Sequence, residues 1–128
     1  MSAVPADVSP PVGGGLGDVL QPAAISNDPG TSSQWALDAV SATQAWDVTT
    51  GSRNVVVAVV DSGIDLTHPD LTANLWTNPG EIPGNGIDDD HNGYVDDIHG
   101  WNFVDNNANV QDGYGHGTHV AGIIGASG

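Results

Sequence analysis

Residues 55–60 form a continuous run of six apolar residues, five of which are β-branched. A run that is apolar on both faces is typical of a strand buried inside a parallel sheet. Parallel neighbours are joined by crossover connections, which are usually helices. The run therefore predicts an α/β architecture, with a central sheet and helices on both of its faces.

Two other segments carry helix signals. Residues 41–44, Ser-Ala-Thr-Gln, have the capping-box pattern, which predicts a short helix that ends near Gly51. From His116 onward the residues are small and apolar and predict a second helix. Its glycines cost up to ~1 kcal/mol each relative to alanine, which a sequence tolerates where a buried helix presses closely on a sheet. The segments between strand and second helix are predicted as a turn at 67–70, a loop over 78–99 and a short strand at 101–104.

Residues 1–33 are rich in proline, glycine, alanine, serine and aspartate, and their apolar positions follow neither a helical nor a strand period. We interpret them as a flexible leader or linker. Organised sequence covers residues 34–128. Because one buried strand cannot form a parallel sheet by itself, we expect 34–128 to be the first part of a domain whose fold is incomplete in this chain.

The charge balance removes several classes of function. The chain has 16 aspartates and glutamates against a single arginine, for a net charge of −15. This excludes nucleic-acid binding through phosphate neutralisation and gives no attraction to an anionic membrane surface. No apolar run is long enough to span a membrane, no signal peptide is visible at the N-terminus, and no cysteine is present for disulfide or thiolate chemistry.

Candidate chemistry begins with Asp61, which directly follows the predicted strand. Functional side chains of open α/β sheets collect at the carboxyl ends of strands. His116 opens the second predicted helix, whose N-terminus disfavours a protonated ring, and a neighbouring carboxylate would counter that effect. Such a pair is what a general base requires. Two alternatives stay open: Asp61 as a turn or cap residue, and His116 with His119 as metal ligands, although no third ligand is evident.

Three motifs follow one another along the chain: VAVVDSGID at residues 57–65, HPDL at 68–71 and HGTHVAG at 116–122. Together they strongly resemble the subtilisin-like serine proteases, over about residues 27–128. The resemblance implies the three-layer parallel-sheet fold of that family, of which this chain would hold the N-terminal part of the catalytic domain. It also implies a secreted, monomeric serine endopeptidase that hydrolyses polypeptides through an Asp-His-Ser triad.

Carried onto this sequence, the resemblance implies roles for individual residues. Asp61 matches the triad aspartate that orients the imidazole, and His116 matches the general base. Asp112 falls where such enzymes line the substrate cleft. The family's serine motif and oxyanion-hole asparagine find no match, because none of the nine serines has that context. We therefore expect this chain alone to be inactive; the alternatives are a non-catalytic calcium-binding fragment and a regulatory remnant of such a protease.

An acidic segment over residues 88–97 contains five aspartates and predicts a Ca²⁺ site. Its D-x-D-x-N-G opening matches the first half of an EF-hand loop, in which alternate oxygens and a sharp turn at glycine wrap the ion. The place of the closing glutamate is taken by His99. The alternative is a solvated turn, although close carboxylates repel one another unless a cation lies among them. The predicted ligands are the side chains of Asp88, Asp90 and Asn92, the carbonyl of Tyr94, and Asp96 or Asp97.

The resemblance adds a further candidate metal ligand. Asp70 matches a calcium-binding aspartate near the start of the family's catalytic domain, and many members of that family are stabilised by calcium. A divalent ion that binds only the native state would stabilise a chain that has no disulfide and repels itself.

Overall fold

The computed structural model describes residues 2–4, 26 and 28–127. Within them, short elements are separated by long irregular segments. The predicted leader over residues 1–33 lies largely outside the described residues. None of the described helices is long and apolar enough to cross a membrane. In chain order the elements are strand β1 (Ser2–Val4), a 3-10 turn (Thr31–Ser33), helices α1 (Trp35–Ala39) and α2 (Ala42–Trp46), strand β2 (Val57–Val59), and helices α3 (Pro69–Thr72) and α4 (His116–Gly125).

The predicted strand is present, but its surroundings differ from the prediction. β2 pairs with β1 in an antiparallel sheet of two strands, in which Ala58 lies opposite Ala3. Val55, Val56 and Val60 are 59%, 52% and 73% exposed. The described residues therefore do not show the predicted burial in a parallel sheet, because burial needs strands on both edges and cover on both faces. The three-layer arrangement is not confirmed in this part of the chain.

A small core joins the carboxyl end of β2 to α3 and α4. Its buried members are Ile64, Leu71 of α3, Val110 and Ala121 of α4. Ile64 forms a parallel bridge with the segment that follows Val110: its N–H donates to the Val110 carbonyl at 2.9 Å, and its carbonyl accepts from the N–H of Asp112 at 3.1 Å. The core thereby packs the segment that follows β2 against both α4 and the residues that precede α4.

Both predicted helices are present. α4 begins at His116, as predicted. α2 follows Ser41, but the predicted capping box does not form, because Ser41 has a left-handed backbone with φ of 56° and makes no side-chain cap bond. The helix ends at Trp46, short of Gly51. The predicted turn at 67–70 leads into the short helix α3.

The predicted strand at 101–104 is wrong, and the side chain of Asn102 supplies the reason. Its Oδ1 accepts the N–H groups of Val104 and Asp105, each at 3.0 Å. Two backbone hydrogen bonds between Asn102 and Asn107, at 2.8 and 3.2 Å, close the loop behind it. Asparagine competes with extended backbone in this way, so the segment forms a turn instead of a strand.

Candidate active site and metal-binding loop

Asp61 and His116 are in contact, although 55 positions separate them in the sequence. His116 Nδ1 lies 2.8 Å from Asp61 Oδ1 and 2.9 Å from Oδ2. Asp61 lies just beyond the end of β2, and His116 is the first residue of α4. The packing of these two elements on one core therefore brings together the pair that the sequence predicts.

The contact determines which nitrogen of the ring is available for chemistry. An ionised carboxylate only accepts hydrogen bonds, so Nδ1 of a neutral His116 donates to Asp61 and Nε2 carries the lone pair. The His116 side chain is 60% exposed, whereas that of Asp61 is 20% exposed. An accessible imidazole that is oriented by a carboxylate has the arrangement that general-base catalysis requires.

Asp61 is held in its ionised form by hydrogen-bond donors. The N–H of Ser62 donates to Asp61 Oδ1 at 2.7 Å. This bond, followed by the bond from His116, holds the pKa of Asp61 below its usual value against the smaller opposing effect of desolvation. Asp61 is therefore an anion at neutral pH and stabilises the imidazolium form of His116 when that form appears.

Two glycines allow the segment that follows β2 to pack closely on its neighbours, Gly117 of α4 and the stretch around Val110. A Cβ on Gly117 would lie 2.1 Å from the carbonyl oxygen of Gly63 and 3.2 Å from Asp61 Cβ. A Cβ on Gly63, whose φ is +121°, would lie 2.6 Å from the carbonyl oxygen of Val110. Contacts between non-bonded carbon and oxygen are about 3.3 Å or longer. A side chain at Gly117 would therefore push α4 away from the strand end, and one at Gly63 would displace the segment around Val110 that precedes α4.

Asp112 accepts hydrogen bonds both from Ser62, which follows β2, and from Thr118 of α4. Its Oδ1 accepts the Ser62 hydroxyl at 3.0 Å and the N–H groups of Tyr114 and Gly115 at 2.9 and 2.8 Å. Its Oδ2 accepts the N–H and the hydroxyl of Thr118 at 2.9 and 2.6 Å. Desolvation raises the pKa of Asp112, but the bonds from Thr118, Gly115 and Tyr114 together outweigh it and hold the pKa well below its usual value. The predicted contact of Asp112 with substrate stays a prediction.

A cleft of about 480 Å³ opens beside Asp61. Its wall includes the turn that carries Trp101 and Phe103. The ring of Tyr94 contacts both of these side chains, with centroid separations of 4.9 and 5.9 Å. The acidic loop that contains Tyr94 is therefore packed directly against the wall of the cleft. The lining residues are 59–64, 101–105 and 109–111.

The segment at 78–99 forms an irregular loop, as predicted, and contains a cluster of three carboxylates. Glu81, Asp90 and Asp97 each offer an oxygen within 4.8 Å of the others. Glu81 is 7% exposed and Asp97 is 9% exposed. Calcium binds oxygens at about 2.3–2.6 Å, so two oxygens on one ion lie within roughly 5 Å of each other. The spacing and chemistry of this cluster therefore fit a calcium ion.

Two asparagine amides supply hydrogen bonds to the cluster. Asn78 Nδ2 donates to Asp90 and Asp97 at 2.9 and 2.8 Å, and Asn92 Nδ2 donates to the same two carboxylates at 3.1 Å each. Asn92 therefore contacts the cluster through its nitrogen, since its Oδ1 accepts the N–H of Tyr94 at 2.8 Å, and its predicted role as an oxygen ligand stays a prediction. These donors offset part of the repulsion between the carboxylates, so that repulsion alone does not demand a cation.

Other predicted ligands hold the backbone of the loop in shape. Asp88 Oδ2 accepts the N–H of Gly93 at 2.8 Å, at a sharp turn where φ is 97°. Asp96 accepts the N–H groups of Gly84 and Gly86 at 2.7 and 3.0 Å. Neither carboxylate belongs to the cluster of three. Their roles as metal ligands stay predictions.

Asp70 is not brought into the carboxylate cluster. It lies in α3, where its carbonyl accepts the N–H and the hydroxyl of Ser127 at 2.8 and 3.1 Å. The alternative metal pair, His116 with His119, gains no third ligating side chain among the described residues. The contact between His116 and Asp61 accounts for His116 without a metal.

Comparison with known proteins assigns the family. The profile of the subtilase family matches residues 52–128, a range that contains Asp61 and His116 together. The chain belongs to the subtilase family. Membership implies the α/β fold of subtilisin, of which the described residues hold few strands.

Subtilases from distant organisms align with most of the chain. Subtilisin-like protease 1 of Plasmodium berghei is 46% identical over 105 residues, which are 80% of this chain and 18% of that protein. Thermitase of Thermoactinomyces vulgaris is 40% identical over 101 residues, or 78% of this chain and 28% of that protein. Halolysin of Haloferax mediterranei is 41% identical over 98 residues, or 77% and 16%. The chain thus spans less than a third of the length of these subtilases.

Four side chains that contribute to these sites carry no strong signal in the sequence. Ser62 and Thr118 bond Asp112, but they are small hydroxyl residues close to Asp61 and His116, whose titratable side chains dominate the two motifs. Glu81 and Asn78 belong to the carboxylate cluster, but they precede the D-x-D-x-N-G pattern and match no ligand spacing. An acidic and an amide side chain just before an acidic segment would have been the available signal.

Proposed function

We propose that the protein to which this chain belongs is a serine endopeptidase in which Asp61 and His116 are two members of an Asp-His-Ser triad. The observation that carries the proposal is the contact of His116 Nδ1 with both oxygens of Asp61. Membership of the subtilase family supports the reaction class. Its substrates are polypeptides, and we assign it to the outside of the cell as a monomer.

In the proposed mechanism, His116 Nε2 takes the proton of the serine hydroxyl as that oxygen attacks the scissile carbonyl. Asp61 holds the ring in the tautomer that this step needs and stabilises the imidazolium that results. His116 then gives the proton to the leaving amine. Ser62 is not assigned as the nucleophile, because its hydroxyl already donates to Asp112. The attacking serine is assigned to the longer protein, and the chain alone is expected to be inactive.

We further propose that the acidic loop binds calcium through Glu81, Asp90 and Asp97, with the other predicted oxygens completing the shell. Supporting observations are the 4.8 Å spacing of the three carboxylates and the low exposure of Glu81. When bound, the ion supplies positive charge that stabilises the loop. Because Tyr94 of this loop packs on Trp101 and Phe103, such stabilisation would extend to the wall of the cleft.

Substitution of the pair in the intact protein tests the proposed catalysis. We expect Asp61→Asn to lower kcat roughly 10⁴-fold, because the ring then adopts the wrong tautomer. His116→Ala should cost on the order of 10⁶-fold, a loss of the size known for subtilisin itself. The matched control is His119→Ala, since His119 is an exposed histidine three positions further along the same helix. The assay is hydrolysis of a peptide ester or amide, with a serine-directed phosphonate as inhibitor.

The outcomes distinguish a serine endopeptidase from a non-catalytic calcium-binding protein. Loss of activity in both variants, with activity kept in His119→Ala, supports the triad. Hydrolysis that survives His116→Ala at the unsubstituted rate, or resistance to the serine-directed inhibitor, would reject it. An intact protein that binds calcium but hydrolyses nothing would instead support a non-catalytic calcium-binding role.

A further inference from the structure

We propose that Asp112 is a positioning residue, which together with Ser62 locks the N-terminus of α4 onto the end of β2 and so holds His116 against Asp61. This inference rests on the proposed function, because it assigns Asp112 a role in the same site. It replaces the expected contact of Asp112 with substrate by a contact network that lies inside the protein.

At the start of α4, Asp112 takes the place of an N-cap side chain. The first N–H groups of a helix have no partner within the helix. Gly115 precedes α4 and has no side chain with which to cap them. Asp112 accepts the N–H groups of Gly115 and Thr118 at 2.8 and 2.9 Å instead, and the N–H of Tyr114 at 2.9 Å. The carboxylate of Asp112 therefore fixes the backbone that leads into the first turn of α4, where His116 lies.

On the strand side, two hydroxyl groups link Asp112 to the residues around Asp61. The Ser62 hydroxyl donates to Asp112 at 3.0 Å and accepts the N–H of Gly117 at 3.0 Å. The Thr118 hydroxyl donates to Asp112 at 2.6 Å and accepts the N–H of Asp65 at 2.9 Å. Each hydroxyl thus joins the segment that follows β2 to α4, within a few residues of the contact between Asp61 and His116.

The hydrogen-bonding capacity of Asp112 is used up by these contacts. An ionised carboxylate offers about four lone-pair sites. Asp112 receives five donors, which are the Ser62 hydroxyl, the Thr118 hydroxyl and three backbone N–H groups. No lone pair is left over for a substrate donor. Because a misplacement of about 1 Å at a reacting group lowers the rate on the order of 10²-fold, loosening this network should lower kcat rather than weaken substrate binding.

Three substitutions in the intact protein test the inference. Asp112→Asn keeps the shape of the side chain but turns an NH₂ group toward the hydroxyl and N–H groups that now donate to the carboxylate. We expect kcat to fall roughly 10- to 100-fold, with KM changed by less than about twofold. Ser62→Ala should do the same, and Ser62→Thr should restore activity because it keeps the hydroxyl. The matched control is Asp38→Asn, which removes the same charge from an exposed position in α1.

A spectroscopic measurement reports on positioning without any turnover. The Nδ1 proton of a histidine bonded to a carboxylate gives a far-downfield, slowly exchanging NMR signal. We expect this signal of His116 in the unsubstituted protein and in Asp38→Asn, and its shift or loss in Asp112→Asn and Ser62→Ala. Near-ultraviolet circular dichroism checks that each variant is folded. If Asp112→Asn does not fold, the comparison of Ser62→Ala with Ser62→Thr tests the inference in its place.

The two proposals fail in different ways. A raised KM with unchanged kcat in Asp112→Asn would show a substrate contact and overturn positioning. An unchanged His116 signal in both Asp112→Asn and Ser62→Ala would overturn it as well. If the unsubstituted protein hydrolyses no peptide, the proposed function fails, while the NMR comparison still decides whether Asp112 positions the ring.

Discussion

Replacing Gly117 by alanine tests how closely α4 is pressed against the end of β2. The added Cβ would lie 2.1 Å from the carbonyl oxygen of Gly63, 3.1 Å from its nitrogen and 3.2 Å from Asp61 Cβ. Two of these atoms belong to the backbone, so no rotamer change moves them aside. An ordinary carbon–oxygen contact is ~3.3 Å, so helix and strand end would have to separate by about 1 Å.

Two effects of measurable size follow from this separation. Overpacking costs about 1–3 kcal/mol in free energy of unfolding, and the better helix propensity of alanine offsets at most ~1 kcal/mol of it. We therefore expect a net loss of roughly 1–2 kcal/mol. The bonds from His116 Nδ1 to Asp61, now 2.8 and 2.9 Å, would lengthen, and a shift of about 1 Å should lower kcat on the order of 10²-fold.

The same helix provides the matched control. A Cβ on Gly122 would meet nothing within 4 Å, so Gly122→Ala should raise the free energy of unfolding by up to ~1 kcal/mol through helix propensity alone. Guanidinium denaturation of the intact protein measures both variants, and peptide hydrolysis measures kcat.

The two substitutions are thus expected to shift stability in opposite directions. If Gly117→Ala is as stable as Gly122→Ala and keeps the unsubstituted kcat, the close approach of Gly117 to Gly63 is not what brings His116 to Asp61. The packing of α4 on the strand end would then not be the basis of the contact between His116 and Asp61.

Acid and calcium provide further tests. Hydrogen bonds outweigh desolvation and hold the pKa of Asp112 in the folded protein well below its unfolded value of about 3.9. The contribution of ionised Asp112 to stability is therefore present above that pH and is lost as the pH falls below it. Melting temperatures between about pH 6 and pH 2 should therefore decline less steeply in Asp112→Asn than in Asp38→Asn, and equal slopes would contradict this reasoning. Calcium at a hundredfold excess over its Kd should stabilise the intact protein by ~2.7 kcal/mol. Asp90→Asn combined with Asp97→Asn should abolish that gain, whereas Asp105→Asn, outside the cluster, should keep it; an unchanged calcium response in the double variant would reject the site.

The sequence predicted the Asp61 and His116 pair because each residue is marked by a strong local signal. Asp61 follows a β-branched run, and His116 begins a segment of small and apolar residues. Their contact then required only that strand end and helix start meet, which the missing side chain of Gly117 allows. Chemistry located at the ends of regular elements is therefore predictable from patterns of a few residues.

Other features depend on contacts that local patterns do not encode. Whether β2 has a parallel or antiparallel neighbour is decided by residues far away in the chain, so the valine run could not specify it. Asn102 forms a turn because its side chain outcompetes extended backbone, although the apolar residues around it favour a strand. Glu81 reaches Asp97 by the folding of an irregular loop, for which no spacing rule exists.

The acidic loop acquires its shape from its own amide groups. Glu81 accepts the N–H groups of Asp89, Asp90 and Asp96 at 2.9, 3.2 and 2.9 Å, and Asp96 in turn bonds two glycine N–H groups. A cation that enters such a preorganised loop loses less of its binding free energy to ordering the chain. Its association should therefore be fast, and residence time rather than entry should distinguish tight from weak variants.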